Sequence, residues 1–205
     1  MGRCAYRKHY WTWGTFLHAH KVAWALDFTC VLDFQGLQIF ILVVVDLNTR
    51  QLVAINATLH PDRNWIVQQI CNAEMAGLKL PTRLIADNDG LFGGWMKRDF
   101  KNFFNIEVHH TPPGQPWCNG ICERFHRSLK REVLNRLGPL DVAAIQHISF
   151  VYRDYFNARR PHQGIRGRTP VSSAKTSQQS SNNVEIRYIK IPEVDGLITR
   201  FELAA

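Results

Sequence analysis

The sequence has no apolar run long enough to cross a membrane. The best one, Ile39-Phe40-Ile41-Leu42-Val43-Val44-Val45, falls far short of the ~20 residues a spanning helix needs. It reads as a strand buried on both faces. The basic start, Met1-Gly2-Arg3-Cys4-Ala5-Tyr6-Arg7-Lys8, leads into no apolar segment, so no secretory signal is expected. Cysteine is sparse: five residues without a framework spacing, which suits reduced thiols in an intracellular compartment. His109, His110, Cys118, Cys122 and His126 lie close in sequence, but their spacing matches none of the common structural zinc patterns. There is no internal repeat and no glycine pattern of a P-loop or dinucleotide fold. Acid is short as well. Asp and Glu number 17 against 25 Lys and Arg, a formal charge of +8 that fits a polyanionic partner, nucleic acid above all.

What is present is an ordinary apolar content, 45%, enough for a folded core. Residues 1–20 form a basic, aromatic lead-in with no assigned element. Val22 to Val31 reads as a first strand, Gln38 to Val45 as a second and Gln51 to Thr58 as a third, an antiparallel meander. Pro61-Asp62 opens a helix with Asp62 as N-cap, Ile66, Val67, Ile70 and Ala73 as its apolar stripe, and Gly77 closing it. Thr82 to Ala86 is a short fourth strand. Phe92 to Phe104 is expected as a second helix with Phe92, Met96, Phe100 and Phe103 inside, and Ile106 to His109 as a fifth strand. A third helix is expected over 119–137, and a fourth from Val142 to about Asn157 behind an Asp141 N-cap. Residues 172–183 form a Ser/Gln/Asn-rich linker, and 184–205 a β-hairpin tail. The pattern is mixed α/β.

Three carboxylates stand out. Asp27 sits in the middle of an apolar strand, where an acid costs several kcal/mol unless it is paired or binds a metal; a strand-end turn cap is the plainer alternative. Asp87 lies at the exit of the fourth strand. Glu123 begins the third helix, with Arg127 and Lys130 following at i+4 and i+7 on the same face. That pattern is equally that of a surface ion pair. A sheet placing its first and fourth strands side by side brings Asp27 and Asp87 together. Three such acids repel unless a cation joins them. Hard oxygen donors suit Mg²⁺ or Mn²⁺, and two such ions can clamp an in-line phosphoryl displacement.

The residues around these acids resemble the catalytic core of the DDE transposases and retroviral-type integrases, bacterial insertion-sequence transposases in particular. The matching stretches are Trp24-Ala25-Leu26-Asp27-Phe28-Thr29, then Leu84-Ile85-Ala86-Asp87-Asn88 with Phe92. The third comprises Pro116 and Asn119-Gly120 leading to Glu123-Arg124-Phe125 and Ser128-Leu129-Lys130. Arg160-Pro161-His162-Gln163-Gly164-Ile165 through Thr169-Pro170 resembles the end of the same domain. The family's spacing, 35 residues between Asp87 and Glu123, is kept. The resemblance implies a ribonuclease H-like fold: a mixed five-stranded sheet flanked by helices over 21–171, with the C-terminal hairpin as an extension. It implies cleavage at a DNA end by water and attack of the freed 3′-hydroxyl on target DNA, with Asp27, Asp87 and Glu123 holding two Mg²⁺ or Mn²⁺ ions. A plain nuclease on the same fold and a non-catalytic DNA-binding module are the alternatives.

Two departures from the family stand out. Asp89 occupies a position usually held by Gly, which makes it a rival to Asp87; the position of Phe92 and the spacing to Glu123 favour Asp87. Only about 20 residues precede the core, where family members carry a separate recognition domain, so an excised core, a truncated reading frame or a recognition domain on another chain is expected. From Asn119 to Arg168 there are ten Lys and Arg against four acids. Arg124, Arg127, Lys130, Arg160 and His162 are the expected DNA contacts, whereas Arg131 and Arg136 are expected to be solvated. His110 and His126 are expected to be structural, and Trp117 an anchor before the third helix. The resemblance further implies element ends and target DNA as partners, a homodimer or larger assembly on DNA, no membrane, and a bacterial, nucleoid-associated setting.

Overall fold

The computed structural model describes residues 23–111, 119–174, 186–190 and 199–203. The lead-in 1–20, the loop 112–118 with Trp117 and Cys118, and most of the polar linker lie outside them. The described residues begin with strand β1 (Ala23–Leu32), whose side chains alternate between two apolar layers. Ala23 and Ala25 join one buried cluster; Trp24 and Leu26 join the other. Strand β2 (Gln38–Asp46) does the same, with Ile39, Ile41, Val43 and Val45 on one side and Leu42 and Val44 on the other. Both strands are covered on two faces, which is why they read as near-continuous apolar runs.

Each turn is set by an aspartate. Asp33 Oδ1 accepts from the backbone N–H of Gln35 and Leu37, and Gly36 supplies the left-handed residue at φ 79°. Asp46 Oδ1 accepts from the N–H of Asn48 and Thr49, and Arg50 takes a left-handed φ of 66° without being glycine. Strand β3 (Leu52–Thr58) then pairs antiparallel with β2 and forms one edge of the sheet.

Helix α1 (Arg63–Met75) starts where Asp62 accepts from the N–H of Trp65 at 2.8 Å. It ends before Gly77 at φ 81°. It carries the chain across to β4 (Arg83–Ala86), which lies parallel to β1. Ile66, Ile70 and Ala73 are buried as the pattern predicts, and Gln69 joins them, its amide donating to Trp65 O. The expected Phe92–Phe104 helix is in two pieces, a 3-10 turn over Gly90–Phe92 and helix α2 (Trp95–Phe104), separated by Gly93 and Gly94. Starting at Trp95 turns the buried stripe to Met96, Asp99 and Phe100 and leaves Phe103 64% exposed, with Phe104 packed in its place. Strand β5 (Glu107–His110) pairs parallel with β4 and completes the order β3-β2-β1-β4-β5.

Two helices cover the opposite face. Helix α3 (Gly120–Glu132) buries Cys122, Phe125, Ser128 and Leu129. It stops earlier than expected, and residues Leu134–Arg136 form a 3-10 turn. Helix α4 (Val142–Ala158) is capped by Asp141, which accepts from the N–H of Ala144. Phe125, Tyr152 and Phe156 pack edge to face at 4.9 and 5.8 Å from the Phe125 ring. Helix α4 also serves the free side of β3. The Asn157 side chain both donates to Leu52 O and accepts from Leu52 N–H, while Gln146 accepts from Ala57 N–H at 2.6 Å. A short helix α5 (Pro170–Ala174) carries helical structure into the segment read as linker. Strands β6 (Ile186–Lys190) and β7 (Thr199–Leu203) pair antiparallel as the expected hairpin.

Candidate active site

The pairing of β1 with β4 runs Ala23 with Arg83, Trp24 with Leu84 and Ala25 with Ile85. Each pair differs by 60 in number. Continued two steps, past the last residue of β4, the same offset would set Asp27 level with Asp87, and the Asp87 charge is near enough to raise the Asp27 pKa. Both are odd-numbered positions, and Ala23, Ala25 and Ile85 at the preceding odd positions belong to the cluster packed under α3 and α4. The two acids therefore belong to the face that α3 covers, and α3 brings Glu123 in its first turn.

Cys122 marks the junction. Its thiol is fully buried, and its pKa is pushed well up by that burial and then by Asp27, Asp87 and Glu123. Asp27 has one carboxylate oxygen accepting from the N–H of Phe28 at 2.9 Å and the other 3.6 Å from His126 Nδ1. Burial first, then the charge of Asp87, with smaller contributions from Glu123 and Asp89, raises its pKa to about 7 against the lowering effect of the Phe28 amide. Asp87 is raised too, by burial, although the amide of Asp89 at 3.0 Å and the nearby His110 ring work the other way. His126 offers no compensating charge: burial and Lys130 push its pKa down to about 4. His110 Nδ1 meets Asp87 O at 2.8 Å, which ties the end of β5 to the carboxylate loop.

Asp89 has a separate task. Its side chain accepts from the N–H of Leu91 and caps the 3-10 turn. That turn sets Phe92 against Phe28, the ring following Asp27, with centroids 5.3 Å apart and planes at 17°. Trp65 stacks on Phe28 as well, at 6.3 Å and 29°. The rings next to the two strand acids thus lock their backbones together from the opposite face of the sheet.

No Lys or Arg among the described residues forms an ion pair with Asp27, Asp87 or Glu123. Oxygen donors of this kind are those a hard divalent cation takes, and Asp27 is held well above its ordinary pKa by burial first and by the neighbouring Asp87 second. Asp27 and Asp87 stand side by side, whereas the Glu123 side chain is exposed, and no group of three ligating side chains among the described residues is drawn together closely enough to hold an ion.

The basic residues divide. Arg124 and Arg127 are exposed on α3, and Lys130 is half-buried. Arg160 is committed inside the protein. It bridges Glu132 at 2.7 and 3.2 Å, reaches Ser128, and lies over the Phe156 ring. His162 sits edge-on to Phe156 with Nε2 3.1 Å from Phe156 O. Both were expected at DNA from their basic loop; here their side chains pin that loop to α3 and α4.

Residues 105–170, from β5 through α4, match the family model described as the integrase core domain. Two transposon polyproteins of Schizosaccharomyces pombe, Tf2-3 and Tf2-4, are each 23% identical over 134 residues. That is 65% of this chain and 10% of each polyprotein, so the chain spans about a tenth of these relatives. Among solved structures, a chain of the simian T-cell lymphotropic virus intasome in complex with PP2A regulatory subunit B56 gamma superposes with a TM-score of 0.62 at 17% identity, covering 91% of this chain and 67% of that one. The catalytic core domain of BIV integrase gives 0.53 at 19% identity, over 74% of this chain and 92% of that one. The HTLV-2 integrase catalytic core, in complex with magnesium, gives 0.55 at 15% identity, over 75% and 95%. The shared fold is the ribonuclease H-like mixed sheet of the retroviral integrase cores. The matched core segment, the transposon relatives and that fold together support a similarity of this chain to the DDE transposase and integrase cores.

Proposed function

We propose that this protein is a metal-dependent polynucleotidyl transferase that cleaves a DNA end and joins the resulting 3′-hydroxyl to target DNA. One observation carries the reading: Asp27 on β1 and Asp87 at the exit of the adjacent parallel strand β4 lie close enough under the helix that bears Glu123 for the Asp87 charge to raise the Asp27 pKa. Asp27, Asp87 and Glu123 are the residues that would hold Mg²⁺ or Mn²⁺. Bound there, the metal would neutralise charge on a scissile phosphate and act as a Lewis acid.

The chain's own residues do the rest. The Phe28–Phe92 stack fixes the two strand acids relative to each other. The Phe28 amide orients one Asp27 oxygen, and the Asp89 amide orients one Asp87 oxygen. Glu123 lies on a helix that also presents Arg124 and Arg127 to solvent, so a DNA strand reaching the acids passes guanidinium groups that bind phosphate without reading sequence. Cys122 is buried and held protonated, and takes no part as a nucleophile; water and a 3′-hydroxyl suffice. A partner chain or a further domain would supply recognition of particular DNA ends, and two ends held at once would need two or more copies.

The test is a joining assay with a labelled donor end carrying a free 3′-hydroxyl, a target plasmid and Mg²⁺ or Mn²⁺. Joined product is expected from the parent and a loss of at least ~10³-fold from Asp27→Asn, Asp87→Asn or Glu123→Gln, the scale of removing a principal transition-state stabiliser. Nicked DNA without joined product would favour the plain nuclease. Full joining by Asp87→Asn would sink the assignment.

A further inference from the structure

We propose that the loop from Arg159 to Thr169 is a phosphate-binding surface that holds the DNA backbone beyond the acids, with Arg159, Arg166 and Arg168 as its contacts. The proposal rests on the reading that the protein acts on DNA. The twenty residues from Tyr155 to Ala174 hold four arginines and no Asp or Glu. The acids nearby are taken: Glu132 is bridged by Arg160 at 2.7 and 3.2 Å, and Asp154 lies 3.4 Å from Arg153. Arg159, Arg166 and Arg168 are exposed, and Arg159 and Arg166 form no ion pair among the described residues.

Arg160 fastens this loop to one particular stripe of α3. Its guanidinium reaches Ser128 at 3.4 Å as well as Glu132. Arg124, Ser128 and Glu132 are spaced by four residues, so they follow one another along a single side of the helix. Arg124 is exposed at the head of that stripe and directly follows Glu123. The loop is therefore anchored on the side of α3 that Arg124 opens. Glu132 lies about 12 Å from Arg124 along the axis, a few nucleotide steps of a DNA strand. A strand leaving the acids past Arg124 meets the loop next.

The loop is also held in shape before DNA arrives. His162 N–H donates to Arg168 O at 3.0 Å, Gly167 N–H to His162 O at 2.9 Å and Arg166 N–H to Gln163 O at 3.0 Å. Arg166 and Gly167 both take left-handed φ, 56° and 76°. The far end is closed by reciprocal bonds, Thr169 N–H to Ser172 Oγ at 3.0 Å and Ser172 N–H to Thr169 Oγ1 at 3.2 Å. Guanidinium groups on a backbone fixed in this way bind phosphate with little ordering cost.

The experiment measures binding of the full chain to a labelled DNA duplex by fluorescence anisotropy over a salt series, in EDTA so that no cleavage intervenes. The variants are Arg159→Ala, Arg166→Gly and Arg166→Lys, with Lys101→Ala, an exposed position of α2 on the other face of the sheet, as the control for net charge. Arg166→Gly suits the left-handed backbone, and all four should melt as the parent does. Arg159→Ala and Arg166→Gly are each expected to make the slope of log K against log salt shallower by about 0.9, one phosphate's worth. Arg166→Lys and Lys101→Ala should keep the parent slope. An unchanged slope in Arg159→Ala or Arg166→Gly overturns the proposal. So does an equal loss in Lys101→Ala, which would make the effect one of net charge, or in Arg166→Lys, which would make it one of loop shape. Joining by the parent with unchanged slopes in the arginine variants would refute only this surface. Shallower slopes in those variants without any joining by the parent would refute the transferase reading and leave the surface standing.

Discussion

The two faces of the sheet each bury an aspartate, and they treat it in opposite ways. On the α1–α2 face, Asp99 is 3% exposed and held by Arg63 from α1 and by Arg98 beside it. Arg63 in turn lies over the Trp95 ring. On the α3–α4 face, Asp27 is also largely buried, but its near neighbours are Asp87, Glu123 and a neutral histidine. The same face pairs Glu132 with Arg160 and Tyr152, so the difference lies in the site and not in the face. A carboxylate that serves the fold recruits a cation from the chain; at Asp27 and Asp87 the proposed function would bring that cation from outside.

That contrast can be broken by substitution. The largest stability effect is expected at Asp99. Removing it as Asp99→Ala strands Arg63 and should cost about 2–3 kcal/mol by chemical denaturation, somewhat below the usual loss for a buried pair because the arginines are partly solvated. A neutral result would mean that the pair is dispensable and the contrast false. Next comes Asp27→Asn, expected to act in the opposite direction. With its folded pKa raised to about 7 from 3.8, the metal-free parent binds more protons folded than unfolded between those values, so it loses stability as pH climbs from about 4 to about 7. Asp27→Asn should remove that fall and gain roughly 1–3 kcal/mol in EDTA at pH 8, below the ~4 kcal/mol ceiling set by the shift. Added Mg²⁺ should raise the melting temperature of the parent and leave that of the variant unmoved. Greater stability of the parent at pH 8 than at pH 5 without metal would contradict the account.

The smallest expected effect is at Glu132. Burial raises its pKa, yet the hydrogen bonds from Arg160 and Tyr152 outweigh burial and bring it below 4.5. Its contribution is then complete above 4.5 and lost as pH falls through the lower folded value. Glu132→Gln should cost about 1–2 kcal/mol at pH 7 and flatten that acid limb in denaturation curves. A parent and variant with identical acid limbs would show that Arg160 contributes nothing here.

Much of this was legible in the sequence because it is local. Asp62 and Asp141 read as N-caps and are N-caps; Gly36 and Gly77 take left-handed turns. The acid in the middle of β1 announced itself by breaking an apolar run. What stayed hidden depends on partners far along the chain. Arg160 belongs to a loop whose composition suggests DNA, and only the fold shows Glu132, 28 residues back, claiming it. Phe103 fits an i+3 stripe as well as Phe104 fits an i+4 one, and the start of α2 after Gly94 decides between them. The level placement of Asp27 and Asp87 is a matter of strand register, to which neither local sequence contributes alone.

The amide groups that helix α4 lends to the outer side of β3 have a consequence for how copies of this protein meet. Asn157 presents Leu52 with a donor and an acceptor, as a neighbouring strand would, and Gln146 does part of the same at Ala57. That margin is already occupied, and a strand from another molecule would have to displace both side chains to add there. Strand addition at β3 would therefore have to break the Leu52 and Ala57 contacts before any ladder between copies could form there.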